Sequence, residues 1–266
     1  MKHLSVLKPD KPVNWYIWLG VAAVLCSIFM IVVPLFNGGG DWGYVQDFWG
    51  RWQTLTAGML ALVSSFIAFN ISSYNADKQR ERADKQRERD FLASKAFLPA
   101  ALSELVSYFK DSASVLIKGW ESTDESKPEF IIPDLPQGYK EVFVHCIRHA
   151  EPPVGDYLSQ ILVSLQIHDS RLRDYIKRAS GKNDFNPEKG TLIGYFYGLG
   201  ELHALVSNLF EFARNRGEFN SRPLNWEDFN NAYVNLDVRI NKISSEIYDL
   251  EAYTKRYIAE AKPQDT

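Results

Sequence analysis

Apolar residues run almost unbroken from Trp15 to Phe36 and again from Trp52 to Tyr74, after which the chain changes character within a few positions. The heptad Ala-Asp-Lys-Gln-Arg-Glu-Arg then occurs twice without alteration, at 76–82 and 83–89. Beyond it, apolar positions recur in alternating steps of four and three. Leu98, Leu102, Leu105, Phe109, Ser112 and Leu116 form one such stripe; Leu158, Ile161, Leu162, Leu165, Leu172 and Ile176 give a second stripe with less regular steps. A third runs through Leu192, Phe196, Leu199, His203, Val206, Phe210 and Ala213. A fourth passes through Phe229, Tyr233, Leu236, Ile240, Ile243, Ile247, Leu250, Thr254 and Tyr257. Steps of four and three keep one helical face apolar and suit helices packed nearly antiparallel. The pattern predicts an all-α protein: a two-helix transmembrane hairpin, a charged helical stalk and a cytoplasmic antiparallel helical bundle.

The first apolar stretch has no charged side chain and, at about 1.5 Å per residue, is long enough to cross a hydrocarbon core of about 30 Å. It predicts transmembrane helix 1 at 15–36, after a cytoplasmic N-terminal segment at 1–14. The second is more polar, with Gln53, Thr54, Thr56, Ser64, Ser65 and Asn70, yet no charge falls between Arg51 and Asp77. It predicts transmembrane helix 2 at 52–74, reached through a short extracytoplasmic loop at 37–51. Trp15, Tyr16 and Trp18, then Trp42, Tyr44, Phe48, Trp49 and Trp52, lie where an aromatic belt belongs. Lys2, Lys8 and Lys11 precede the first span, and six Lys and Arg residues follow the second before Phe91. The positive-inside rule therefore places both termini in the cytoplasm of a multi-pass inner-membrane protein. The apolar start is too long for a cleaved signal peptide and reads as a signal anchor.

On the second span, Thr54, Gly58, Ala61, Ser65 and Ala68 share one face. Small residues in such a stripe let another helix approach closely, either the first span or a second copy of the chain. Its hydroxyl and amide groups also raise the idea of a pore. The duplicated heptad offers only Ala76 and Ala83 as apolar positions, so it predicts a solvated helical stalk over 75–98 instead of a zipper. Glu81 and Lys85 stand at helical neighbour spacing.

Boundary signals divide the bundle, 99–261, from within. Asn186 before Pro187 suits a helix start, and Asn225 with Asp228 resembles a capping box. Leu224 and Phe229 would be its hydrophobic staple. Gly181 and Gly217 fall where helices should stop. Pro99 inside the first stripe predicts a kink or break between stalk and bundle. Residues 121–138, with Pro128, Pro133 and Pro136, read as an acidic loop whose Phe130, Ile131 and Ile132 dock on the bundle. A disordered tail is expected at 262–266.

Composition adds mostly exclusions. A net charge of −3 lacks the basic footprint of a dedicated nucleic-acid binder. Cys26 in a span and Cys146 in the headpiece cannot pair. Glu141, His145 and His149 line one helix face, but no further ligand accompanies them, so no metal site is expected. His203 reads as a core histidine, and His168 has no evident company. No nucleophile elbow or phosphate loop is present, so the expectation is no catalytic residue and no cofactor.

The order Phe48-Trp-Gly-Arg-Trp-Gln-Thr-Leu55, then the charged stalk, then Phe97-Leu-Pro-Ala-Ala-Leu-Ser-Glu104 resembles uncharacterised bacterial two-span inner-membrane proteins with a cytoplasmic helical domain. In architecture the chain also resembles two-span anti-phage effectors. The spans, the small-residue stripe and the bundle predict a lipid bilayer, a homo-oligomer and an unknown cytoplasmic protein as partners, with no nucleic acid expected. The architecture and the lack of catalytic motifs point to a non-enzymatic inner-membrane protein whose cytoplasmic bundle binds a partner or itself; the alternatives are a membrane-permeabilising effector that oligomerises through its spans and a membrane-tethered enzyme.

Overall fold

The computed structural model describes residues 15–122, 129–180, 189–245 and 247–261, with side chains from Val24 onward except at Cys26 and Ser27. The N-terminal lysines, Pro128, the Gly181 stop, the Asn186-Pro187 start, the 262–266 tail and the Cys26 side chain lie outside the described residues. Eight α-helices and no strand occur among those residues, so the chain is all-α. They are α1 (Trp15–Asn37), α2 (Trp42–Lys95), α3 (Leu98–Glu121), α4 (Tyr139–His149), α5 (Pro152–Ala179), α6 (Lys189–Ala213), α7 (Trp226–Asn235) and α8 (Leu250–Glu260). Two compact units divide at Arg80 and Glu81, inside the duplicated heptad.

In the N-terminal unit, α1 closes with Gly40 N–H donating to the Leu35 carbonyl at 2.9 Å. Asp41 then caps the next helix, its carboxylate accepting from Gly43 N–H at 2.9 Å. That cap starts α2 at Trp42, so most of the segment expected as a loop over 37–51 is helical. The Trp49 indole N–H donates to the Met30 carbonyl at 3.1 Å.

The C-terminal unit is organised by α6, which contacts α3, α5, α7 and α8. Its middle carries no charge except Glu201, and Leu192, Ile193, Phe196, Leu199 and Leu209 are all at most 1% exposed. A helix apolar on nearly every side is stable only when surrounded, and each fully buried Leu or Phe contributes about 1.5–3 kcal/mol. The stripe of α3 supplies Leu98, Leu102, Leu105, Phe109 and Leu116, none of them exposed.

Two glycines set the closest approaches. A Cβ on Gly200 of α6 would lie 2.6 Å from Tyr233 Cε1, and one on Gly119 of α3 would overlap the Tyr175 hydroxyl. Tyr233 cannot retreat, because it is fully buried and its hydroxyl is 2.8 Å from Thr254 Oγ1.

The fourth apolar stripe does not form one helix. Asp237 takes a left-handed backbone with φ of 56°, and Val238 N–H donates back to the Tyr233 carbonyl at 2.9 Å. This Schellman-type stop buries Val238 and ends α7. Ile240–Lys242 form a short 3-10 turn, Ile247 is 83% exposed, and Asp249 caps α8 by accepting from Glu251 and Ala252 N–H. Asn215, with φ of 55°, likewise ends α6 ahead of Gly217. The capping box of Asn225 and Asp228 is present, with reciprocal bonds of 3.1 and 2.9 Å.

Pro99 occupies the first turn of α3, where a proline costs no hydrogen bond, and the break falls just before it at Ala96 and Phe97. Phe130 packs edge-on to Tyr175 at 5.7 Å, whereas Ile131 remains 76% exposed.

Candidate functional site

The apolar half of α2, which holds the stretch predicted as the second span, is exposed. Leu55, Met59, Leu60, Leu62, Phe69 and Ile71 are all half exposed or more. Among the described residues, one helical stretch, beginning at Trp42, is long and apolar enough by length and composition to cross a bilayer, and none of its apolar window is buried. Ile28–Asn37 is a shorter apolar stretch. A contiguous apolar face on this scale marks an interaction surface.

All five residues singled out on this helix share that exposed surface. Thr54, Gly58, Ala61, Ser65 and Ala68 are exposed, and a Cβ on Gly58 would meet nothing within 4 Å. The polar side chains nearby look to their own backbone: Thr56 Oγ1 donates to the Trp52 and Gln53 carbonyls, and Asn70 Nδ2 to the Phe66 carbonyl. Each backbone partner lowers the cost of placing the polar group in an apolar medium.

From Asn75 to Arg89 α2 is exposed throughout, and Glu81 pairs with Lys85 at 2.6 Å. Within the C-terminal unit the end of this helix is fastened to the headpiece. Arg87 donates through Nε to the His149 carbonyl at 3.1 Å and through Nη2 to the Ala150 carbonyl at 2.5 Å. A guanidinium there meets both the orphan carbonyls and the negative end of the α4 dipole. Farther on, Phe91 and Lys95 both pack on Phe212, the Lys95 ammonium 3.6 Å from the ring centroid. Burial lowers the Lys95 pKa and pushes the Cys146 thiol up to about 11, so Cys146 is a buried thiol of low reactivity.

A cleft of about 310 Å³ opens among α5, α6, the 221–224 segment, α7 and α8. Tyr157, Tyr197 and Phe229 give it aromatic walls, with Glu201 among them. Tyr197 stacks on Phe229 at 5.4 Å and lies 5.0 Å from Tyr257. Desolvation raises the Glu201 carboxyl above the usual range, while burial and then the Glu201 charge push the Tyr197 hydroxyl up. Arg222 on the cleft wall is held by Asp228 through two bonds of 2.6 Å. Glu201 went unremarked in the sequence, although it is the lone Asp, Glu, Lys or Arg between Lys189 and Glu211.

The histidines divide as burial dictates. His203 is in the core with its Nδ1 3.2 Å from Ser207 Oγ, and His168 is buried against Tyr108. Burial lowers both to about 4. Glu141, His145 and His149 lie on α4, and no group of three or more His, Cys, Asp or Glu positioned to hold a metal occurs among the described residues. No protein-family model, curated protein or solved structure matches the chain.

Proposed function

We propose that this is a non-enzymatic integral inner-membrane protein whose cytoplasmic helical bundle binds a protein partner or a second copy of itself. The observation that carries the reading is the uncovered apolar half of α2, which turns without interruption into a charged helix. Lipid is the medium that removes such a surface from water without a protein partner. In this reading α1 and α2 form a two-span hairpin with both termini cytoplasmic. Residues 75–98 carry the position of the spans to an antiparallel bundle, and Arg87 ties that helix to α4. No cofactor or nucleic acid enters the reading.

A second reading is favoured by one feature: the Thr54, Gly58, Ala61, Ser65 and Ala68 stripe faces open space. A stripe free to meet other copies suits a protein that oligomerises through its spans and permeabilises the bilayer. Membrane potential, read by dye fluorescence in bacteria expressing either the full chain or the unit from Glu81 onward, separates the two. An unchanged potential in both is expected for partner binding. Depolarisation by the full chain alone, abolished by Gly58→Leu, would overturn that reading in favour of the effector.

A further inference from the structure

We propose that the cleft among α5, α6, α7 and α8 binds an organic ammonium group, with Glu201 as its counter-charge and Tyr157, Tyr197 and Phe229 as its walls. The inference rests on this cleft alone and goes beyond the membrane reading.

Charge is the first ground. Glu201 is half-buried, has no hydrogen-bond or ion-pair partner among the described residues, and is the lone Asp, Glu, Lys or Arg between Lys189 and Glu211. An unpaired carboxylate beside apolar and aromatic walls loses part of its hydration, and a cation that enters the cleft offsets that loss. Arg222 does not supply it, because both of its bonded nitrogens are committed to Asp228. Nor is Tyr157 free to help, since its hydroxyl donates to the Leu205 carbonyl at 3.1 Å.

The walls narrow the ligand further. Beside the aromatic rings, Leu205, Pro223, Leu224 and Ile258 line the cleft. An anion would be repelled by Glu201, and a neutral apolar molecule would leave the carboxylate unpaired. An ammonium head on an apolar body satisfies both parts, through a charge-assisted hydrogen bond to Glu201 and contact with aromatic surface. About 310 Å³ is room for a small molecule or one long side chain. The ammonium could arrive as a free amine or as a lysyl side chain of another protein, and the two are separable by experiment.

The test is isothermal titration of the full chain in detergent with phenethylammonium and, separately, with N-acetyl-lysine methyl ester. Saturable binding of at least one is expected. Glu201→Gln keeps the shape of the side chain, should melt no lower than the parent, and should weaken binding about tenfold or more. Gln160→Lys, which sets an ammonium on the cleft wall, should block the same ligand. Preference for phenethylammonium identifies a small amine, and preference for the lysine derivative identifies a protein lysine. No saturable binding of either, or equal affinity in Glu201→Gln, would overturn the proposal.

Discussion

Helices α2 and α6 each contain some twenty consecutive residues poor in charge, and the structure treats them in opposite ways. In α6, Phe196 is 1% exposed and Leu199 not at all. In α2, Phe69 is 71% exposed and Leu62 73%. Apolar content therefore does not decide whether a helix is core; neighbours do. Around α6 four other helices supply matching faces, whereas none of the apolar window of α2 is buried among the described residues. The difference separates a helix enclosed by protein from one whose apolar face stays exposed among the described residues.

Truncating an aromatic ring in each helix is the strongest way to break this comparison. Phe196→Ala should cost about 3–5 kcal/mol of headpiece stability, whereas Phe69→Ala should change it by less than about 0.5 kcal/mol. Urea unfolding followed by near-UV circular dichroism reads both.

Acid probes the buried side next. His168 and His203 sit near 4 when folded and return to about 6.5 when unfolded. The unfolded chain binds more protons between those values, so stability falls as pH drops from about 6.5 toward 4, by about 3 kcal/mol per histidine at pH 4. Glu201 opposes the trend, because its folded pKa is raised and its protonation relieves the burial cost. Melting temperatures across that range for the parent, His168→Gln and His203→Gln should show each variant less acid-sensitive; an unchanged acid slope would contradict the assignment.

Glycine offers a matched pair of smaller size. Gly200→Ala drives a methyl into the Tyr233 ring and should cost about 1–3 kcal/mol. Gly58→Ala meets open space and should leave headpiece stability unchanged. The smallest effect belongs to Tyr175, whose buried hydroxyl has no partner among the described residues and lies over Gly119. Tyr175→Phe should be neutral or stabilising by up to about 1 kcal/mol, and it should ease Gly119→Ala in a double-mutant cycle.

Much of the helical layout was legible because it depends on local signals. The stripe through Leu98 and Leu116 and the Asn225 capping box need only neighbours in sequence. The fourth stripe misled for an equally physical reason: its apolar period continues across Leu236 and Ile240, but Asp237 enters the left-handed region and reverses the chain. An aspartate tolerates that conformation without advertising it as a glycine would. Asn215 displaced Gly217 as the end of α6 in the same manner. The cleft was illegible because Tyr157, Glu201, Arg222 and Ile258 are far apart in sequence and meet only through packing. What the sequence did contain was the isolation of Glu201 on an uncharged helix. Arg87 posed the reverse difficulty, since the Arg residues of the repeat look equivalent until α4 presents its last carbonyls.

Alkaline-carbonate fractionation of bacteria expressing the full chain tests the central claim most directly. The account predicts that the chain stays in the membrane pellet and that Leu62→Arg, which places a charge in the middle of the apolar half of α2, shifts it to the soluble or aggregated fraction. A full chain released by carbonate would contradict the account, because the exposed face of α2 would then have to be covered by protein.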